Sequence, residues 1–170
     1  MTRETDIESY ATLDFEASSL SPESWPIEIG LSWLQNDRVQ TWHSLIRPVP
    51  EWDILDWSAQ SAAVHKIAFE TLLDAPPAAA VVNDFFNNLA GKVLMSDAPE
   101  FEVRWLARLL TAAGCVDVPK IADYHDVSFE QFSGLALDML YESLARQPAP
   151  HRAGPDSARL ARAWSKARQY

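Results

Sequence analysis

The sequence predicts an α/β fold, a sandwich built on a mixed five-stranded sheet (three antiparallel strands, then parallel strands) flanked by helices. Three observations carry this. Strand-like segments crowd the first 46 residues, the apolar period then turns helical, and two short strands recur between helices in the second half.

Residues 9–16 (Ser-Tyr-Ala-Thr-Leu-Asp-Phe-Glu) read as the first strand, and the Ser- and Pro-rich stretch 17–26 as a turn. Residues 27–34 alternate well enough for a second strand. Gln35-Asn36-Asp37-Arg38 is a hairpin connection into a third strand at 39–46, stopped by Arg47-Pro48-Val49-Pro50. These three are expected to form an antiparallel meander. Helical spacing follows over 59–73 and 77–89, broken by Asp74-Ala75-Pro76-Pro77. Lys92-Val93-Leu94-Met95 is a short strand suited to the middle of a covered sheet. Ser96 or Asp97 can cap the next helix, Pro99 fits its first turn, and residues 102–113 continue it to Gly114. Residues 121–124 are the last strand. Helices over 129–146 and 155–166 are joined by the Pro-containing loop 147–154. There is no internal repeat or low-complexity linker, and 170 residues suit one domain, 1–170, around a single core.

With 48% apolar and 22% charged residues the chain is expected to be globular, and no segment has the apolar length to span a membrane. The start, Met1-Thr2-Arg3-Glu4-Thr5-Asp6, leads into no apolar signal core. The single Cys115 excludes an internal disulfide and a thiolate metal cluster. The expected compartment is the cytosol. A net charge of −10, from 14 basic against 24 acidic residues, argues against a broad grip on duplex phosphates, which takes clustered Lys and Arg. It leaves room for an enzyme that holds only the last few nucleotides of a strand, where metal ions neutralise the phosphates.

Three segments carry chemistry. In Asp14-Phe15-Glu16, at the end of the first strand, the two acids point the same way, because strand side chains alternate. Carboxylates so placed repel each other unless water or a divalent cation intervenes. Ser96-Asp97-Ala98-Pro99-Glu100-Phe101-Glu102 runs from a strand end into a helix; each acid alone is explained by the preference of carboxylates for helix N-termini. In His151-Arg152-Ala153-Gly154-Pro155-Asp156 a loop His precedes an Asp in the first turn of the final helix. Sites in α/β sheets gather where loops leave strand ends, so Asp14, Glu16 and the loop after Met95 belong on a common rim.

Taken in order, these segments resemble the DEDDh family of 3′–5′ exonucleases, the ribonuclease H-like group that includes proofreading subunits and RNase T. The family's Asp-x-Glu motif, followed by small residues and Leu, matches Asp14-Phe15-Glu16-Ala17-Ser18-Ser19-Leu20. Its Pro-hydrophobic-Glu-hydrophobic-Gly strand matches Pro26-Ile27-Glu28-Ile29-Gly30. The recurring apolar-His-x-Ile segment matches Val64-His65-Lys66-Ile67, and the His, four residues, Asp motif matches His151 through Asp156. The likeness runs from about residue 12 to residue 164. The second motif departs: Ser96-Asp97 stands where His-Asn is usual, and Phe101-Glu102 where an aromatic residue precedes Asp.

The resemblance implies a ribonuclease H-like sandwich that removes nucleotides from the 3′ end of single-stranded nucleic acid, RNA or DNA, with two Mg²⁺ or Mn²⁺ ions about 3.5–4 Å apart. Asp14 would bridge both ions, and Glu16 and Asp156 would hold the one carrying the attacking water. Glu102, with Asp97 as a close rival, would position the other. His151 would be the general base, a task that suits an imidazole. For the substrate, Ser18, Leu20, Trp25 and His65 are the candidates, with Leu20 packing on the terminal base and Trp25 stacking under it. From its helical segment alone His65 reads first as a structural residue, and only the resemblance places it on the site side. His43 and His125 have no assigned role, and the other tryptophans read as core. Arg104, Arg108, Arg159, Arg162, Lys166 and Arg168 read as a solvated face. Homodimers are common among such proteins, so a second copy is a possible partner; no membrane is expected. The altered second motif motivates an alternative, a catalytically weak or inactive nucleic-acid- or protein-binding module on the same fold. A phosphatase-like enzyme acting on mononucleotides is a third reading. The retained His151–Asp156 pair favours catalysis, since a binding module needs no general base.

Overall fold

The computed structural model describes residues 6–170; residues 1–5, most of the polar start read above, lie outside the described residues. Strand β1 (Tyr10–Ala17) pairs antiparallel with β2 (Pro26–Gln35), which pairs antiparallel with β3 (Arg38–Leu45). Asn36 and Asp37, both at positive φ, make the two-residue turn that matches the twist of a tight hairpin. Strand β4 (Val93–Ser96) lies parallel to β1, and β5 (Ile121–Asp123) parallel to β4. The sheet order is β3-β2-β1-β4-β5, the mixed five-stranded arrangement expected.

The alternation of β1 and β2 divides the core in two. Leu13, Phe15, Ile27, Ile29 and Leu31 face helices α3 (Ala78–Leu89) and α4 (Pro99–Ala112), packing with Phe85, Leu106 and Leu109. On the other side Leu34 and Met95 pack with Tyr124 of α5 (Tyr124–Gln131), Leu140 of α6 (Gly134–Arg146) and Leu160 and Trp164 of α7 (Ala153–Ala167). Two expected helices are each split by a local cap. Residues 59–73 form α1 (Ala59–His65) and α2 (Phe69–Leu73), because Lys66 turns left-handed (φ 56°) and closes α1. The helix expected over 129–146 starts earlier, at Tyr124, where the Asp123 carboxylate accepts from the His125 and Asp126 amides; it breaks at residues 132–133 before α6 begins. Among the described residues no helix is long and apolar enough to cross a membrane.

Beneath the start of α7 the sheet is polar and small instead of apolar. Thr12, Asp14 and Glu16 of β1 stand opposite Ser32, Gly30 and Glu28 of β2 in the antiparallel register. Gly30 is required there: a Cβ would lie 2.1 Å from the Ala153 carbonyl oxygen. Thr12 Oγ1 donates to the Ser157 carbonyl at 2.7 Å, and the Ser32 and Ser157 hydroxyls are 2.8 Å apart. This seat brings the first turn of α7 onto the acidic end of β1.

Candidate active site

Asp14 and Glu16 project from β1 toward α7, and Asp156 comes down from its first turn. Ligand oxygens of these three carboxylates lie within 4.8 Å of one another. Asp14 Oδ2 and Asp156 Oδ1 are buried without any hydrogen-bond partner. So is Oε2 of Glu102, which reaches the end of β1 from the first turn of α4 and is only 3% exposed. Buried acceptors normally find donors, so these orphaned carboxylate oxygens are an incomplete electrostatic arrangement. An all-oxygen donor set of this kind fits a hard divalent cation such as Mg²⁺ or Mn²⁺.

Without a cation the cluster holds on to protons. Burial, followed by the charges of Glu102, Glu16, Asp156 and Asp97, pushes Asp14 well above the usual carboxylate range. Burial, then Asp156 and Glu28, raise Glu16 to about 8, against a lowering pull from Arg152. Glu102 is raised by burial and by Asp97, Glu16 and Glu100, with a backbone hydrogen bond at Phe15 opposing. Asp156 is raised by burial, with the His151 imidazole the strongest opposing charge. Glu102 and Asp97 stand outside the tight group of three. Asp97 is solvent-exposed and does not cap α4; Ser96 Oγ instead accepts from the Ala98 amide at 3.1 Å.

His151 is exposed, at a left-handed φ of 57°, in the loop before α7. It borders a cavity of about 430 Å³, in the range of small-molecule sites. Glu16 and Phe15 line it, Leu20 and Val64 are its exposed apolar edge, and Ser58, Gln60 and Ser61 add polar groups. His65 lines it too and is 2% exposed. Its Nδ1 accepts from the Ile67 amide at 3.0 Å, and burial pushes its pKa down. The neutral ring therefore carries its proton on Nε2, which has no partner.

Two expected substrate groups are corrected. Trp25 is fully buried; it stacks on Trp52 at 5.7 Å, packs on Trp57 and Phe69, and donates from Nε1 to the Asp53 carbonyl. It is core and offers no face to a base. Ser18 is also buried, its hydroxyl accepting from the Trp25 amide, and the neighbouring Ser19 lines the cavity in its place. Leu20, 68% exposed, and His65 do line the cavity. Arg159, read as solvated, donates to the Leu144 and Gln147 carbonyls and closes the end of α6. The main omission is Glu28, read only as part of a strand motif. It is 0% exposed and paired with Arg152. Its trace in the sequence is a lone acid inside the apolar run Ile27-Glu28-Ile29. Ser58, Gln60 and Ser61 had no local signal.

No family model matches the chain, and no curated protein matches it significantly. Solved structures do. The nuclease domain of 3′hExo, a DEDDh family member, bound to rAMP, is 18% identical over 94% of this chain and 91% of that one, with a TM-score of 0.69. A 3′-exonuclease in 3′-end-specific recognition of a histone mRNA stem-loop is 16% identical over 94% and 81%, at 0.68. The zinc-bound form of the E. coli ExoI–ssDNA complex is 9% identical over 94% of this chain but 40% of that one, at 0.63. This chain has the ribonuclease H-like fold of the DEDDh 3′-exonucleases.

Proposed function

We propose that this chain is a metal-dependent 3′–5′ exonuclease that hydrolyses the terminal phosphodiester bond of single-stranded nucleic acid. The observation that carries this is the convergence of Asp14, Glu16 and Asp156, with orphaned buried oxygens on Asp14 and Asp156, beside the cavity that Glu16 lines and His151 borders. Asp14, Glu16 and Asp156 would hold divalent metal, Mg²⁺ or Mn²⁺, and Glu102 and Asp97 would add negative charge for a second ion. Two bound ions would supply charge stabilisation at the scissile phosphate and acidify the attacking water. His151 takes the proton of that water on its ring as the oxygen attacks phosphorus. The bond to the 3′ oxygen of the preceding nucleotide breaks, releasing a nucleoside 5′-monophosphate. Leu20 and Val64 pack against the terminal base, and the His65 Nε2–H donates to a substrate oxygen. Neighbours that engage ssDNA, rAMP and an mRNA 3′ end support a strand end as substrate, with RNA or DNA as the choice to be made.

The test is a 5′-labelled single-stranded oligonucleotide, as RNA and as DNA, with Mn²⁺ or Mg²⁺ and with EDTA, beside Asp14→Ala and His151→Ala. The expected result is a ladder shortening from the 3′ end, abolished by EDTA and by both substitutions. No shortening of either polymer by folded protein would overturn the nuclease reading and favour the non-catalytic module.

A further inference from the structure

Glu28 sits near the start of β2 with its carboxylate sealed from solvent. A buried carboxylate is tolerated only when donors surround it. Arg152 supplies a two-pronged grip, Nε to Oε2 and Nη2 to Oε1, both at 2.8 Å. The Ala153 amide donates to Oε2 at 3.1 Å, and His43 Nδ1 stands 3.7 Å from Oε1. Two of the three partners thus come from the residues directly after His151. His151 itself is exposed and left-handed, a backbone state that persists in a non-glycine residue only when its surroundings enforce it. The Asp156 amide donates to the Arg152 carbonyl at 2.9 Å, so the residue gripping Glu28 also starts the turn that presents Asp156.

We propose that Glu28 and Arg152 form one positioning unit, a buried ion pair that sets the loop before α7 so that His151 and Asp156 meet the carboxylates of β1. The role given to His151 rests on the exonuclease reading; the positioning does not. A bidentate guanidinium–carboxylate pair suits the task because it fixes direction as well as distance. An apolar contact would hold the loop down and leave it free to turn. Neither residue touches the reacting atoms. Their effect passes through His151 and Asp156, and misplacing a catalytic group by about 1 Å costs on the order of 10²-fold in rate.

The experiment uses the full chain with Glu28→Gln, Arg152→Met, Arg152→Lys and the double substitution Glu28→Gln/Arg152→Met. It reads Mn²⁺-dependent oligonucleotide cleavage, Mn²⁺ binding by calorimetry, and amide hydrogen exchange. Each single variant is expected to keep its fold and to lose about 10–100-fold in kcat with KM within about threefold. Exchange should quicken across residues 147–157 and nowhere else. The double variant should be no worse than either single one, and Arg152→Lys should not rescue, because charge without the fork does not orient the loop. Wild-type kcat in the folded variants, unchanged exchange across that segment, or effects that multiply in the double variant would each overturn the proposal. Should the wild type cleave neither polymer, exchange and Mn²⁺ binding decide alone. Localised faster exchange with weaker Mn²⁺ binding would sustain the positioning while the exonuclease reading falls; unchanged exchange would end both.

Discussion

Asp14 has a buried oxygen with no donor, and Glu102, Glu16, Asp156 and Asp97 all press on it. Such a group destabilises the metal-free protein, so its removal should stabilise it. Asp14→Asn is expected to raise metal-free stability by about 1–2 kcal/mol, or roughly 2–8 °C for a domain of this size, while lowering kcat by at least about 10²–10³-fold. Thermal unfolding in EDTA beside the cleavage assay checks both; a destabilised variant would mean that Asp14 has a structural partner. Glu16 makes the pH dependence explicit. Folded, it keeps its proton up to about 8, whereas an unfolded glutamate releases it near about 4.3. The stability this contributes is present in full below the unfolded value and is lost as pH rises through the folded one. In EDTA, the unfolding midpoint should therefore fall between about pH 4 and pH 8, and Glu16→Gln should flatten that fall. Mn²⁺ has to displace the same protons. Its binding below pH 8 should release them, read as a dependence of calorimetric heat on buffer ionisation enthalpy.

Helix α7 contributes Asp156 to the site, and its position depends on how closely it lies on β2. The close approach at Gly30 leaves no room for a methyl group, since the atoms in the way are backbone: the Ala153 oxygen at 2.1 Å and the Gly154 nitrogen at 2.6 Å. Gly30→Ala must lift the helix start. The expected cost is about 3 kcal/mol, together with weaker Mn²⁺ binding because Asp156 moves away from Asp14. Ser157→Ala, which removes the hydroxyl facing Ser32 and leaves the backbone approach intact, should cost about 1 kcal/mol and leave Mn²⁺ affinity nearly unchanged. Chemical denaturation and calorimetry on the two variants separate these outcomes. Equal losses in both would refute the ranking.

At the scale of the molecule, the acids come from three separate elements, β1, α4 and α7, on both sides of the sheet. All of them belong to one chain. A cation held by the cluster ties β1 and α7 together. Saturating Mn²⁺ should raise stability by about 2.7 kcal/mol at a concentration 100 times its Kd. That gain should vanish in Asp14→Asn.

What could be read along the chain was whatever is local. Period-two alternation placed the meander and put Asp14 and Glu16 on one face, and the family resemblance marked His151 through Asp156 as the last candidate segment. Helix boundaries at Lys66 and Asp123 were missed because a single left-handed residue and a single capping carboxylate decide them, not a period. Trp25, in a Ser- and Pro-rich turn, read as a surface ring, yet Trp52, Trp57 and Phe69 converge on it from distant segments. The sequence by itself determined the strand pattern, the face each strand residue takes and which acids were available. Only the tertiary structure decided that Asp14, Glu16 and Asp156 meet, that Glu102 is buried while Asp97 is exposed, and that Glu28 anchors the loop of His151. Desolvation, close approach and charge coupling depend on distance through space, and residues such as Ser32 and Ser157, 125 positions apart, are brought together only by the packed fold.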